Sequence, residues 1–164
     1  MAIKLQTLLN RADECMGSGM NPIVKETMLE VVKLAYEEGI MVRITLGHRS
    51  FSQQAQLYGH GRTDKSKPIV TYAKPGQSLY NYGLAVDFVI VGDDGRRAMW
   101  TDDKKWTRVA VIAKSLGFVW GGDFSLFKDI PHLEMTGGLS IRNLQQGWRP
   151  RLLSRFLDQK EDWQ

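Results

Sequence analysis

Apolar residues recur at helical intervals from the start of the chain. Between Gln6 and Met16 the positions Leu8, Leu9, Ala12 and Cys15 form one stripe, and Gly17-Ser18-Gly19 breaks it. A second helix follows Asn21-Pro22, with Asn21 as N-cap and Pro22 at the first helical position. Val24, Met28, Val31, Val32 and Ala35 give it one apolar face, and Gly39 closes it. Ile40 to Leu46 then reads as a strand, and Ser50 to Tyr58 as a helix with Ser50 as its cap.

Asp64 to Gln77 carries Pro68, Pro75 and Gly76 and reads as loop, with a short strand expected at Ile69 to Tyr72. Leu84 to Val91 is almost continuously apolar, as a central strand should be. Asp93-Asp94-Gly95 is a hairpin signal leading into Arg97 to Trp100. Asp102 to Ser115 is a helix with Trp106, Val109, Ala110 and Ala113 inward. Phe118 to Trp120 and His132 to Met135 give two final strands. Short terminal helices are expected at Ser140 to Gln146 and Arg151 to Leu157. The sum is an α+β protein, with helices over a small, mostly antiparallel sheet.

Composition narrows the class. The chain has 164 residues, 43% of them hydrophobic and 24% charged, which suits one soluble globular domain. Collagen-like, disordered and disulfide-scaffold classes are excluded. No stretch approaches the roughly 18 apolar residues of a membrane span, and synthesis without a signal peptide is expected. Cys15 is the lone cysteine and cannot form an internal bridge, so synthesis in the reducing cytoplasm is expected. A net charge of +4 suits an anionic partner, but is too small to choose between nucleic acid and a wall polymer.

Candidate chemistry begins at Asp87. A charge inside an apolar strand costs several kcal/mol unless it is paired, hydrogen-bonded or metal-bound. Capping a turn or pairing with an arginine would also satisfy it. Downstream, His132 and Glu134 alternate along a strand and so share a face, with Asp129 just before them. Asp87 and His132 are a candidate metal pair. Catalytic zinc generally needs three protein ligands, and neither His48 nor His60 has the spacing of a third. Chemistry alone leaves the site one ligand short.

Five blocks in order resemble the zinc peptidases that cut peptidoglycan stem peptides, the D-alanyl-D-alanine carboxypeptidases and L-alanyl-D-glutamate endopeptidases. They are Gly47-His48-Arg49-Ser50 with Gln54 and Leu57-Tyr58; Gly61-Arg62-Thr63; Ser78 to Asp87; Trp120-Gly121-Gly122-Asp123; and Lys128-Asp129-Ile130-Pro131-His132-Leu133-Glu134. The likeness spans about Pro22 to Gly138 and implies the D-Ala-D-Ala carboxypeptidase, or hedgehog-like, zinc peptidase fold. It also implies Zn2+ as cofactor, held by Asp87 and His132. Asp129 matches the acidic general base that draws a proton from the metal-bound water. Arg49 matches the arginine that steadies substrate and developing oxyanion. Gln54 and Ser78 match weaker substrate-contact positions, with a helix-surface amide and a turn hydroxyl as the plain alternatives.

The family's motif Ser-x-His-x-x-Gly-x-Ala-x-Asp is met by Ser78, Gly83, Ala85 and Asp87, but Tyr80 stands at its histidine. A phenol must lose a proton, with a reference pKa near ~10, before it ligates. Weak zinc binding or none is therefore expected, and little hydrolysis. Three origins stay open: an inactivating substitution, a natural homologue that keeps binding without catalysis, and metal coordination by Tyr80 itself.

The expected function is that of an L-alanyl-D-glutamate endopeptidase of the phage endolysin type. A D,D- or L,D-carboxypeptidase and a catalytically dead peptidoglycan-binding module are the alternatives. Arg142, Trp148, Arg149, Arg151, Arg155 and Phe156 interleave cations and aromatics as single-strand binders do. An amphipathic terminal helix with Leu152, Leu153 and Phe156 on the core explains them better, so no nucleic-acid partner is expected. The expected organisation is a catalytic domain over 1–138 and an extension over 139–164 packed on it, too short for a wall-binding module. The protein is expected to be monomeric and to reach the bacterial cell wall through a holin pore.

Overall fold

Asp87 and His132 stand opposite each other on neighbouring strands of a four-stranded antiparallel sheet, and that register organises the molecule. The computed structural model describes residues 2–156. In chain order the helices and strands are α1 (Leu5–Met16), α2 (Pro22–Glu37), β1 (Met41–Leu46), α3 (Phe51–Gly59), β2 (Ala85–Val91), α4 (Asp103–Ser115), β3 (Val119–Trp120), β4 (His132–Glu134) and α5 (Ile141–Gln145). Tight 3-10 turns span Leu79–Tyr82 and Gly121–Asp123. The strand order is β1-β2-β4-β3, so the apolar β2 is an inner strand, as its composition predicts.

Alternation along β2 sorts its side chains by face. Val86, Phe88 and Ile90 are fully buried, and Phe88 meets Trp106 of α4 with ring centroids 5.1 Å apart. Asp87 points the other way and keeps a quarter of its side chain exposed. The apolar face of α2 is buried as the spacing requires, and Asn21 Oδ1 accepts from the amides of Ile23 and Val24. Ser50 and Gln53 form a reciprocal capping box at the start of α3. The α+β reading holds.

Four local expectations fail or are met only in part. No strand forms at Ile69 to Tyr72, where the Arg62 side chain takes the Thr71 carbonyl that a strand partner would need. Arg62 Nη1 donates to Thr71 O at 3.0 Å, and Gln54 Nε2 donates to Ala73 O at 2.8 Å. The Asp93-Asp94-Gly95 turn does reverse the chain, but the return segment makes only one bridge, Val91 to Ala98. Cys15, placed on the inward stripe of α1, is exposed, and Met16 fills the core position instead.

The tail is the fourth. Residues 151–156 are not helical, and Leu157 lies outside the described residues. Gly147, at φ +94°, ends α5, and beyond it Arg155 Nη1 donates to Ser115 O at the end of α4 at 3.2 Å. Leu152 packs on the core, whereas Leu153 is exposed. Leu139, Ile141 and Leu144 also reach the core, and Ser154 Oγ donates to Glu26 Oε1 of α2 at 3.0 Å. Among the described residues no helix is long and apolar enough to cross a membrane.

Candidate active site

The Ser78 to Asp87 block builds one wall of the site. Ser78 caps the turn Leu79–Tyr82, its Oγ accepting from the Tyr80 amide at 3.4 Å. Its hydroxyl thus serves the turn. Gly83 closes the turn at φ +67°, and a Cβ there would come within 2.6 Å of the Asn21 amide nitrogen. The turn is therefore pressed against the α1–α2 connection, and Tyr80 is aimed at β2.

Asn81, in the same turn, is buried and ties three segments together. Its Nδ2 donates to Arg49 O at 3.0 Å and Gln54 Oε1 at 3.4 Å, and its Oδ1 accepts from the Gly76 amide at 3.0 Å. Gln54 is fully buried, not a helix-surface amide. Its Oε1 accepts from Arg49 Nη1 at 2.9 Å, which fixes one end of the guanidinium. The Arg49 guanidinium lies 5.0 Å from the centre of the Tyr80 ring.

The last two sequence blocks build the opposite wall. Gly121 O accepts from the Asp129 amide at 3.0 Å, and Trp120 Nε1 donates to Ile130 O at 2.8 Å. A Cβ on Gly121 would collide with the Asp129 carbonyl oxygen, so only glycine lets the two loops meet. Asp129 then sits just ahead of β4, its carboxylate half exposed and 4.0 Å from His132 Nδ1. The His132 ring is nearly buried and lies 5.8 Å from the Phe124 ring.

Tyr80, Asp87, His132 and Glu134 form one hydrogen-bonded chain. Tyr80 Oη donates to Asp87 Oδ1 at 2.5 Å and lies 2.8 Å from His132 Nδ1. His132 Nε2 lies 2.9 Å from Glu134 Oε1. Proton accounting settles the roles. The phenol has a single proton and gives it to Asp87, so it accepts from Nδ1–H. The Glu134 carboxylate accepts from Nε2–H. His132 thus carries both ring protons, as an imidazolium between two carboxylates.

The electrostatics agree with that arrangement. Burial pushes the His132 pKa down, but the Asp87 and Glu134 carboxylates outweigh it and leave it raised, to about 9. Burial, and next the Asp87 charge and hydrogen bond, hold the Tyr80 phenol well above its ordinary value. Burial and the neighbouring Asp87 also raise Asp129, with His132 opposing.

Of the residues singled out in the sequence, Arg49, Gln54, Tyr80, Asp87, Asp129 and His132 come together. Ser78 stays in the turn beneath them. Asn81 and the pairing role of Glu134 were not anticipated. A polar residue inside the Leu-Tyr-Asn-Tyr turn and the i, i+2 spacing of His132 and Glu134 were the available signals.

Comparison with known proteins bears directly on this geometry. The chain is 47% identical over 126 residues to the peptidoglycan L-alanyl-D-glutamate endopeptidase CwlK of Bacillus subtilis, covering 72% of this chain and 74% of the relative. The chain belongs to this family of peptidoglycan peptidases. A family model described as D-alanyl-D-alanine carboxypeptidase matches residues 71–135, which contain both walls of the site. The L-alanyl-D-glutamate peptidase of Listeria phage A118 is 35% identical over 85 residues, 49% of this chain and 30% of that relative.

Solved structures show the same fold. The L-Ala D-Glu endopeptidase ChiX of Serratia marcescens superposes with a TM-score of 0.54 at 22% identity, over 77% of this chain and 86% of that one. The vancomycin-resistance D,D-pentapeptidase VanY in complex with Zn(II) gives a TM-score of 0.53 at 15% identity, over 77% and 83%.

Zinc is the metal associated with this family. The donor set of this chain does not suit it. Among the described residues no three His, Cys, Asp or Glu side chains converge as a metal-holding group. The Nδ1 atom facing Asp87 carries a proton shared with Tyr80, and the phenol oxygen is itself protonated. Two carboxylates and a protonated histidine satisfied by a phenol are a hydrogen-bonded network, not a zinc tripod.

Proposed function

We propose that this chain takes the L-alanyl-D-glutamate segment of the peptidoglycan stem peptide into the cleft between the Leu79–Tyr82 turn and β4. The convergence of Arg49, Asp87, Asp129 and His132 from separate sequence blocks carries this reading. The names of the 47%-identical relative and of the phage relative support the bond assignment. Carboxypeptidases of the same fold make terminal cleavage the second choice.

Each residue has a role its position suits. Arg49, held at one end by Gln54 Oε1, presents its remaining donors to a substrate carboxylate or carbonyl oxygen. Asp129 is half exposed beside the network, where a carboxylate can take a proton from an attacking water. Ser78 acts through the turn that aims Tyr80. Tyr80 engages both Asp87 and His132, and hydrolysis by this chain stands far below that of a three-ligand site. The protein acts at the bacterial wall as a monomer, and its +4 charge favours the anionic surface.

The test is co-sedimentation with purified cell walls, followed by mass spectrometry of the released peptides. The chain as it stands sediments with walls and releases little. Tyr80→His, supplied with zinc, releases fragments with new D-glutamate amino termini, and adding Asp129→Asn to it abolishes release. Release of only terminal D-alanine would replace the endopeptidase reading with the carboxypeptidase one. Failure of every form to sediment would overturn the substrate class.

A further inference from the structure

Asp87 Oδ1 and His132 Nδ1 lie 3.6 Å apart, and both hydrogen-bond the Tyr80 hydroxyl. Two ligand atoms held at ~2.0–2.1 Å by one tetrahedral ion would stand about 3.4 Å apart. The pair therefore keeps nearly the spacing of two ligands to one metal, and the Tyr80 hydroxyl lies between them. We propose that this hydroxyl stands in the ion's place and bolts Asp87 to His132, so that the centre is assembled without metal.

The distances separate this from coordination by Tyr80. A third ligand would sit about 3.4 Å from each of the others, leaving room for an ion among the three. The phenol oxygen is 2.5 Å from Asp87 Oδ1 and 2.8 Å from His132 Nδ1, ordinary hydrogen-bond lengths. A hydroxyl also matches the chemistry of both neighbours, donating to the carboxylate and accepting from the ring N–H.

The ring cannot readily leave. It meets the His132 ring edge-on, centroids 5.7 Å apart and planes at 85°, and Arg49 covers its face. The Tyr80 backbone is fixed as well, its carbonyl accepting from the Arg49 amide at 3.0 Å. Among the described residues no buried side-chain polar atom lacks a hydrogen-bond partner, so the network closes on itself.

Metal content by elemental analysis and thermal melting, each with added zinc and with chelator, test the inference. They use the chain as it stands, Tyr80→His and Tyr80→Phe. The native chain is expected to hold under a tenth of a zinc per molecule, with a Tm that neither zinc nor chelator moves. Tyr80→His takes up one zinc, and its Tm rises by several degrees with free zinc about 100-fold above Kd. Tyr80→Phe removes the bolt alone, so its Tm falls by several degrees and it still takes no zinc.

One zinc per native chain with a zinc-dependent Tm overturns the inference. So does a Tyr80→Phe variant that melts with the native chain. Should Tyr80→His not fold, the native zinc titration and the Phe variant still decide. Wall sedimentation by the native chain is a separate readout, so the substrate reading and the metal-free centre can fail independently.

Discussion

At the scale of single residues the site is governed by proton positions. His132 donates from both ring nitrogens, and its pKa is raised to about 9 from an unfolded value near 6.5. A group whose folded pKa is raised stabilises the fold fully below the unfolded pKa and loses that contribution as pH rises through the folded one. Stability should therefore decline between about pH 6.5 and 9 with the loss of one bound proton. The His132 ring resonances should titrate near the upper end of that window. Titration of the ring near 6.5 would contradict the imidazolium assignment. His132→Gln should flatten this part of the stability profile.

Asn81 and Gln54 show how a buried amide organises a site. Asn81→Leu would leave the Arg49 carbonyl and the Gly76 amide without their partner, at a cost of about 1–3 kcal/mol for each unsatisfied buried group. Urea unfolding measures this loss. Equal stability of the variant and the native chain would show that water replaces both bonds.

At the scale of elements, two loops hold the walls. Arg62 lies 3.7 Å from the centre of the Tyr58 ring and 5.8 Å from that of Tyr72, and donates to the carbonyls of Tyr58 and Thr71. Arg62→Ala should free residues 69–77, seen as faster amide exchange there with little change in β2. Arg62→Lys should restore little, because a lysine lacks the planar guanidinium that lies on the Tyr58 ring while Nη1 donates to both carbonyls. Gly121→Ala would drive the 121–123 turn from Asp129, lowering release by the zinc-loaded Tyr80→His form at least tenfold while the melting point changes less.

Much of this level was legible in the sequence. Asn21 before Pro22, Ser50 with Gln53, and the apolar run ending at Val91 specify α2, α3 and β2 through local rules. What escaped depends on partners distant in sequence. Gln54 looks like a surface amide until Ala73, nineteen positions on, supplies its carbonyl. The Ile69–Tyr72 segment has strand-like residues, but Arg62 claims a carbonyl that pairing would use. The tail carries helical spacing at Leu152 and Phe156, yet Ser154 reaches to α2 and Arg155 to the end of α4, and no helix forms over 151–156.

At the scale of the molecule, the sheet is the device that brings distant blocks together. The β2–β4 register sets Asp87 against His132, and the burial of Phe88 behind Asp87 fixes the strand that carries it. Phe88→Ala should cost about 3–5 kcal/mol through the cavity it leaves. Four of the five blocks scattered from Gly47 to Glu134 thus build one cleft, and Arg62 of the remaining block braces the loop beside it through the carbonyls of Tyr58 and Thr71. Tyr80 is the one position at which the motif and this chain part. The neighbouring side chains accommodate the phenol with complete hydrogen bonding.

The most direct test is a crystal structure of the native chain grown with excess zinc, with data collected across the zinc absorption edge. The account predicts the Tyr80 hydroxyl between Asp87 and His132, with no anomalous peak there. An anomalous peak bonded to Asp87 Oδ1 and His132 Nδ1, whether Tyr80 ligates it or swings away, would contradict it.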